Sequence, residues 1–579
     1  MSVPAMLLVP PVNVRTFRPA NVRRILCVFP AYTEAFGTFD RAFPLMGPVK
    51  AFMPPQGILL IAALVPREWQ VRFVDENIRP VEESEFAWAD AVLVSGMHIQ
   101  RRQILDLARR AYRAGKVIAL GGPSVSAAPE DYPEIDLLHC GEVGDGTLDL
   151  FHRLDETVAR PERQIVYRTV DRLPMTQFPT PAYRLIDVRQ YLLGCVQYSS
   201  GCPFTCEFCD IPALYGRNPR LKSPQQILVE LDELADGGTP SIYFVDDNFI
   251  GNPRAALDLL LHLVEWQQRR DYTVRLSCEL TLNVAEYPEI LKLMREAFMT
   301  NVFCGIETVD TDALRAMSKR QNLRTPILQS VDTINSYGIE VAAGIILGLD
   351  TDTPETPEVI LEFIEAAQIP IVTPNLLVAL PHTPLYERLQ KGTRLNSGEG
   401  RDSNIEYLQP YETVVANWKR VIRETYEPRK IYARYATQAK KTYLHRKRPV
   451  RPLDQLTWAN VRRAVEVFSR IAWQVGICSD YRKEFWKMTW RQLRQGNVES
   501  VFQIAMVAHH LITFGRECLT RDVQASAYSA RGREERALGG SVTGAIEEGG
   551  LNLKPVITRP KSASENWVTE NWVRSFDHT

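Results

Sequence analysis

Gly194-Cys-Val-Gln-Tyr-Ser-Ser-Gly-Cys202-Pro-Phe-Thr-Cys206-Glu-Phe-Cys209 reads as a short strand running straight into three cysteines spaced C-x3-C-x2-C. Three thiolates on one loop can each bind a different iron of a cubane, because thiolate is the preferred ligand of iron–sulfur clusters; the fourth iron is left open. A structural zinc would need a fourth ligand to close its tetrahedron. The nearest extra candidates are Cys195, inside the strand, and Asp210. The spacing therefore favours a [4Fe–4S] cluster on Cys202, Cys206 and Cys209 with one open iron.

Toward the C-terminus the loop opens an alternation of short apolar runs and helical stretches. Candidate strands are Gly194–Ser199, Ser241–Val245, Val274–Cys278, Val302–Gly305, Val341–Leu347 and Ile371–Leu377, with helices such as Pro224–Asp236 and Pro253–Gln268 between them. This predicts a full or partial (β/α) TIM-type barrel over residues 191–400, whose chemistry would sit at the C-terminal ends of its strands. Polar residues fall there: Asp246 and Asp247 after one strand, Glu279 after the next, then Gly305-Ile-Glu307 and Gly344-Ile-Ile-Leu-Gly348. Their plainest reading is barrel-top turns and helix caps.

Toward the N-terminus a second alternation occupies residues 24–155. Ile25–Pro30, Val71–Asp75, Ala91–Met97, Val117–Gly122 and Leu137–Cys140 read as buried parallel strands, and Gln103–Ala114 as a helix ended by Gly115. The pattern predicts an α/β, doubly wound, Rossmann-like domain. No G-x-G-x-x-G follows the first strand, so a standard dinucleotide site is not supported. Glycines come later, as Gly121-Gly122-Pro123-Ser124 and Gly141-Glu142-Val143-Gly144, where they would let a flat ligand approach the backbone. Residues 1–23 read as an N-terminal extension and 156–190 as a proline-containing connector.

Beyond residue 400 the strand signals fade. Tyr411–Lys441, Trp458–Val475 and Asp480–Arg494 read as helices of a C-terminal helical region over 401–519, and 520–579 as a polar, disordered tail. Hydrophobic residues make up 45% and charged residues 24%, normal for a globular enzyme, and the net charge of −1 gives no reason to expect nucleic acid. Ten scattered cysteines do not form a disulfide framework, and no apolar run is long enough to span a bilayer; both point to the cytoplasm. Val501–Phe514 reads either as a lipid-facing or pocket-lining helix or as ordinary packing. The basic, aromatic Tyr426–Arg448 reads either as a membrane-resting face, peripheral to the cytoplasmic membrane, or as a solvated one.

The cysteine loop and the barrel pattern resemble the radical S-adenosylmethionine (SAM) superfamily over residues 194 to about 390. The resemblance implies that SAM chelates the open iron and is cleaved to a radical able to take hydrogen from an unactivated carbon. It further implies Phe208 beside the adenine, Asp246 and Asp247 toward the SAM amino group, and Glu279, Gly305 and Glu307 as further SAM contacts. An α/β domain with two glycine loops ahead of such a barrel is similar to the cobalamin-binding domain of B12-dependent radical SAM enzymes. This implies Gly121, Gly122, Pro123, Ser124, Gly141 and Glu142 as cobalamin contacts. The D-x-H-x-x-G signature is absent and His98 and His139 lack its spacing, so the cobalamin would be held without a protein histidine; a degenerate domain that binds nothing is the alternative.

More specifically, Cys27-Val-Phe-Pro-Ala-Tyr-Thr, Phe36-Gly-Thr-Phe, Phe52-Met-Pro-Pro-Gln-Gly57, Asp75-Glu-Asn77 and Val94-Ser-Gly-Met-His98 resemble the hopanoid C-2 methylases. So do Cys206-Glu-Phe-Cys-Asp-Ile-Pro212, Tyr243-Phe-Val-Asp-Asp-Asn-Phe-Ile-Gly251 and Ile345-Ile-Leu-Gly-Leu-Asp-Thr-Asp-Thr-Pro354. The resemblance implies methyl transfer from methylcobalamin to C-2 of the hopanoid A ring, with a flavodoxin or ferredoxin as electron donor. A methylase of another isoprenoid or natural product, a tetrapyrrole cyclase and a non-catalytic cobalamin sensor remain as alternatives. A methylthiotransferase would need more cysteines in the first domain than Cys27 and Cys140.

Overall fold

The computed structural model describes residues 17–396, 401–447, 458–494, 498–520 and 556–557. Its first sheet takes β1 Arg24–Phe29, β2 Gln70–Asp75, β3 Ala91–Ser95, β4 Val117–Gly121, β5 Leu137–Cys140 and β6 Ile165–Arg168. Their order is β2-β1-β3-β4-β5-β6, all parallel, and the two residues of β15, Val556–Ile557, pair with β6 at the edge. Neighbouring residues of each strand enter opposite cores. Ile25, Cys27, Leu93, Ala119 and Leu137 belong to one apolar cluster; Leu26, Val28, Val92, Val94, Ile118, Leu120 and Leu138 belong to the other. A strand buried on both faces has to be apolar throughout, which is why these runs show no polar alternation. The order reverses at β1, so the crevice beyond the C-terminal ends of β1 and β3 is where this architecture receives a ligand.

Two expectations change here. The segment expected to be a connector, 156–190, contributes β6, which pairs with β5 through Ile165–Arg168. The end of the expected extension also docks: Phe17 packs on the His152 ring at 4.3 Å, and the N–H groups of Ala20 and Asn21 donate to the Asp155 carboxylate at 2.8 Å. Residues 1–16 and most of the expected tail over 520–579 lie outside the described residues.

The second sheet is built from β7 Gly194–Val196, β10 Ser241–Phe244, β11 Arg275–Glu279, β12 Met299–Glu307, β13 Glu340–Leu347 and β14 Val372–Leu376. They pair in that order, all parallel, and no ladder joins β7 to β14, so this is a partial barrel. Between β7 and β10 the small antiparallel pair β8 Ser199–Ser200 and β9 Arg220–Leu221 brackets the cysteine loop.

Helices Tyr411–Thr425 and Pro428–Lys441 replace the single helical stretch read over 411–441, the break falling at Pro428, whose ring disfavours helix in the residue before it. They cover the barrel's open side. The Trp418 indole N–H donates to the Pro374 carbonyl at 3.0 Å and the Tyr426 hydroxyl to the Val372 carbonyl, so groups of the edge strand β14 are satisfied by side chains. Among the described residues no helix is long and apolar enough to cross a membrane.

Candidate functional site

The cysteine loop is pinned at both ends by backbone. Cys202 N–H donates to Gly216 carbonyl at 3.2 Å, Glu207 N–H to Met317 carbonyl at 2.9 Å, and Leu385 N–H to Glu207 carbonyl at 2.9 Å. The Arg388 guanidinium holds the Glu207 carboxylate and reaches on to Asp350. Among the described residues no three Cys, His, Asp or Glu side chains converge on a point that one metal ion could occupy. Cys202, Cys206 and Cys209 lie close enough for the first two to act electrostatically on the third, as three cysteines on one short loop do. Burial raises the Cys202 thiol and pushes Cys209 up to about 12. Iron binding at these cysteines would displace the thiol protons to solvent, so it would be linked to pH.

The carboxylates after the barrel strands divide by role. Asp246 is 1% exposed, and its two oxygens accept from Tyr198 N–H (2.8 Å), Ser199 N–H (3.0 Å) and Ser199 hydroxyl (2.7 Å). It fixes the chain just ahead of the cysteines, and burial lifts its pKa to about 7. Asp247 accepts from Gly201 N–H at 2.6 Å and keeps accessible surface; burial, with Glu142 and Asp210 nearby, raises it to about 6. Glu279 is enclosed by protein yet keeps accessible surface, as a group facing an internal lumen does, and burial raises its pKa to about 7. At the end of β12, Glu307 forms a buried ion pair with Lys319 at 2.6 Å.

Lys319 and Gln321 are the functional candidates that the sequence reading missed. Burial works against the Lys319 charge, but Glu307 and Cys206 outweigh it and hold its pKa up. Its ammonium also lies 5.6 Å from the centre of the Phe208 ring. Gln321 donates to Cys206 sulfur at 3.4 Å, and its own side-chain oxygen is buried with no hydrogen-bond partner. Gly305 makes room for this arrangement. A Cβ there would fall 2.3 Å from the Glu307 carboxylate and 2.9 Å from the Lys319 ammonium. The signal available in the sequence was a lone lysine twelve residues beyond a strand-end glutamate, which by itself specifies nothing.

The loops of the first sheet face the cysteine loop. His98, after β3, places Nε2 3.6 Å from Asp210, the residue following Cys209. Glu142, after β5, accepts from the Ser200 hydroxyl at 2.9 Å and pairs with Arg172 at 2.9 Å and Arg220 at 2.5 Å. Glu142 therefore ties the first sheet to the β8–β9 pair that brackets the cysteine loop, and both oxygens of this expected cobalamin contact are engaged by protein groups. Ser124 is likewise turned inward, its hydroxyl 2.5 Å from that of Tyr132.

Gly122 adopts φ +99°, and a Cβ on it would lie 2.8 Å from Ser95 Oγ and 3.0 Å from the Gly96 carbonyl, so its freedom serves loop-on-loop packing. Gly121 differs: a Cβ there would meet nothing nearer than 3.8 Å. Protein packing does not require a glycine at that position, and a flat ligand at the mouth of β4 would. Pro123 starts the helix Pro123–Ala127, and Gly141 N–H donates to Ser126 Oγ at 2.9 Å. His139 is buried, its Nε2 3.0 Å from the Thr147 hydroxyl, and burial lowers its pKa to about 4. A flat cofactor could approach the backbone at Gly121, where no protein atom lies nearer than 3.8 Å to the place of a Cβ.

Residues 196–364 match the Radical SAM superfamily, and residues 383–524 match a domain of unknown function, DUF4070. The chain is 56% identical over 513 residues to the hopanoid C-2 methylase of Rhodopseudomonas palustris, covering 88% of this chain and 97% of that one. The chain belongs to the hopanoid C-2 methylase family. A second member of the wider group, an uncharacterized methyltransferase of Synechocystis, is 33% identical over 89% of this chain and 96% of its own length. The fold is shared with the cobalamin-dependent SAM radical enzyme OxsB, solved with aqua-cobalamin and SAM bound, at a TM-score of 0.54, 15% identity, 89% coverage of this chain and 84% of that one.

Proposed function

We propose that this radical SAM methyltransferase methylates C-2 of the A ring of hopanoids, using a [4Fe–4S] cluster, SAM and cobalamin. The observation that carries the reading is the facing of the first sheet's loops onto the cysteine loop, with Glu142 hydrogen-bonded to Ser200 and His98 3.6 Å from Asp210. Cys202, Cys206 and Cys209 would hold the cluster. Asp247, Glu279, Glu307 and Phe208 would contact SAM, and Lys319 would supply a cation for its carboxylate. Gly121, Gly122, Pro123 and Gly141 would form the cobalamin cradle.

When bound, these groups supply a carbon radical and a methyl group for a substrate carbon that has no acidic proton. The chain's own residues position and exclude. Glu279 faces the lumen with a pKa near 7, so it can hold or release a proton at neutral pH without a strong charge in an apolar pocket. The partial barrel, closed along β14 by Trp418 and Tyr426, keeps water from the reacting carbon. A low-potential donor such as flavodoxin or ferredoxin would supply the electrons, and the substrate would be an apolar lipid of the cytoplasmic membrane.

The test is an anaerobic incubation of reconstituted protein with cobalamin, reductant, methyl-labelled SAM and diploptene. Labelled 2-methylhopanoid with 5′-deoxyadenosine is the expected result. Deoxyadenosine without label in any hopanoid would sink the substrate assignment while sparing the radical SAM one. A Cys206→Ala protein that made as much deoxyadenosine as wild type would sink both.

A further inference from the structure

Helix Trp458–Trp473 turns one face outward. Trp458 is 81% exposed, Val465 59% and Trp473 62%, with Val461 on the same side, while Ile471 on the opposite side is fully buried. One π-helical turn, Gln474–Cys478, follows and leaves Ile477 54% exposed. The surface continues into helix Arg482–Arg494. Trp486 donates its indole N–H to the Gly476 carbonyl at 2.8 Å, and its ring lies 6.3 Å from that of Trp490, itself 58% exposed. Three tryptophans, two valines and an isoleucine standing in water at one end of a soluble fold have an unfavourable hydration cost, so they mark a surface that is covered in use.

The charges say by what. Residues 458–494 carry eight Arg and Lys against three Asp and Glu, in a chain whose net charge is −1. A segment this basic is better matched by an anionic surface than by a second copy of itself. Exposed tryptophans interleaved with arginine and lysine are the composition of a helix lying in the interface of an anionic bilayer, the indole rings at headgroup depth and the cations on the phosphates. Arg470 packs over Gly47, its guanidinium 2.5 Å from where a Cβ would stand, and Gly47 caps the short helix Phe43–Met46 in the segment between β1 and helix Gln56–Leu64.

We propose that the face formed by Trp458, Val461, Val465, Trp473, Ile477 and Trp490 docks the enzyme on an anionic lipid surface. This rests on the reading that the substrate is a membrane lipid: an enzyme held on the bilayer meets an apolar pentacycle where it is dissolved. It moves the membrane contact away from the two segments that the sequence offered. Val501, Ile504, Ala505, Ala508, Leu511, Ile512 and Phe514 are buried in the helical core, and so are Tyr426, Tyr432, Tyr435 and Tyr443.

The test is co-sedimentation of the full-length protein, without hopanoid, on phosphatidylcholine vesicles with and without phosphatidylglycerol. Wild type is expected on the anionic vesicles only, with binding weakened by salt. Trp458→Ala/Val465→Asp/Trp473→Ala should bind at least about tenfold more weakly, as should Lys487→Glu/Arg494→Glu, while both still form deoxyadenosine. Methylation of hopanoid embedded in vesicles should fall in these variants, and methylation of detergent-dispersed hopanoid should not. Absence of wild-type binding, equal binding by the variants, or self-association or RNA binding at this face in place of vesicle binding would overturn the proposal. Vesicle binding without methylation of any hopanoid would leave the docking surface standing and remove the substrate assignment instead.

Discussion

The Glu307–Lys319 pair shows how much chemistry one buried contact can carry. Both side chains are under a tenth exposed, so neither charge is stable there without the other. Removing one partner of such a pair costs about 3 to 5 kcal/mol, whereas removing both is close to neutral. Lys319→Met should therefore lower the melting temperature markedly, and Lys319→Met/Glu307→Gln should recover most of it. If the pair also positions SAM, the double variant should regain stability but not SAM affinity, as equilibrium binding would read. Recovery of both would make the pair merely structural. Gly305→Ala should act through the same two groups, pushing them apart at a stability cost of about 1 to 3 kcal/mol and weakening SAM binding with iron content unchanged. The cysteine triplet was legible because its three ligands are adjacent in the chain. Lys319 was not, because its meaning comes from Cys206 and Phe208, more than a hundred residues away.

At the scale of elements, the helix Val498–Thr520 was open to two readings, lipid-facing or packed, and it is packed. Its His510 is fully buried: the Arg41 N–H donates to Nδ1 at 3.3 Å, and Nε2 lies 3.2 Å from the Phe36 carbonyl. Burial drives its pKa from 6.5 down to about 3. A histidine kept neutral in the fold contributes fully above about pH 6.5, and that contribution is lost as pH falls toward 3, because only the unfolded chain then takes the proton. Acidification from about pH 8 to about pH 5 should cost about 2 kcal/mol at this site. Asp246 and Glu279, raised to about 7, act in the opposite sense, losing stability as pH rises toward 7. The informative quantity is therefore the difference between wild type and His510→Gln in melting temperature against pH. Parallel curves would contradict the assignment. Arg41, bound to both Glu34 and Glu517, fastens the same loop to the same helix.

Across the whole molecule, the reaction needs two cofactors to act on one carbon, so the relative placement of the two sheets matters more than either sheet alone. Glu142 carries part of that placement through Ser200, Arg172 and Arg220. Glu142→Ala should leave iron binding and deoxyadenosine formation near wild type and reduce methylated product severalfold. The ratio of deoxyadenosine to methylated hopanoid is the measurement, and an unchanged ratio would show that other contacts set the geometry.

From the sequence alone the two parallel sheets and the cysteine triplet were legible, because double-sided burial writes continuous apolar runs and the three cysteines stand side by side in one loop. The sequence also determined which loops face the chemistry, since strand polarity puts the C-terminal ends there. Only the tertiary structure decided that the apparent connector supplies β6, that Glu142 and Asp246 serve the protein frame, that Lys319 and Gln321 reach the cysteine loop, and that the exposed tryptophans rather than the apolar helix form the outer face. Those outcomes depend on which side chains meet across long stretches of chain, and local spacing holds no record of that.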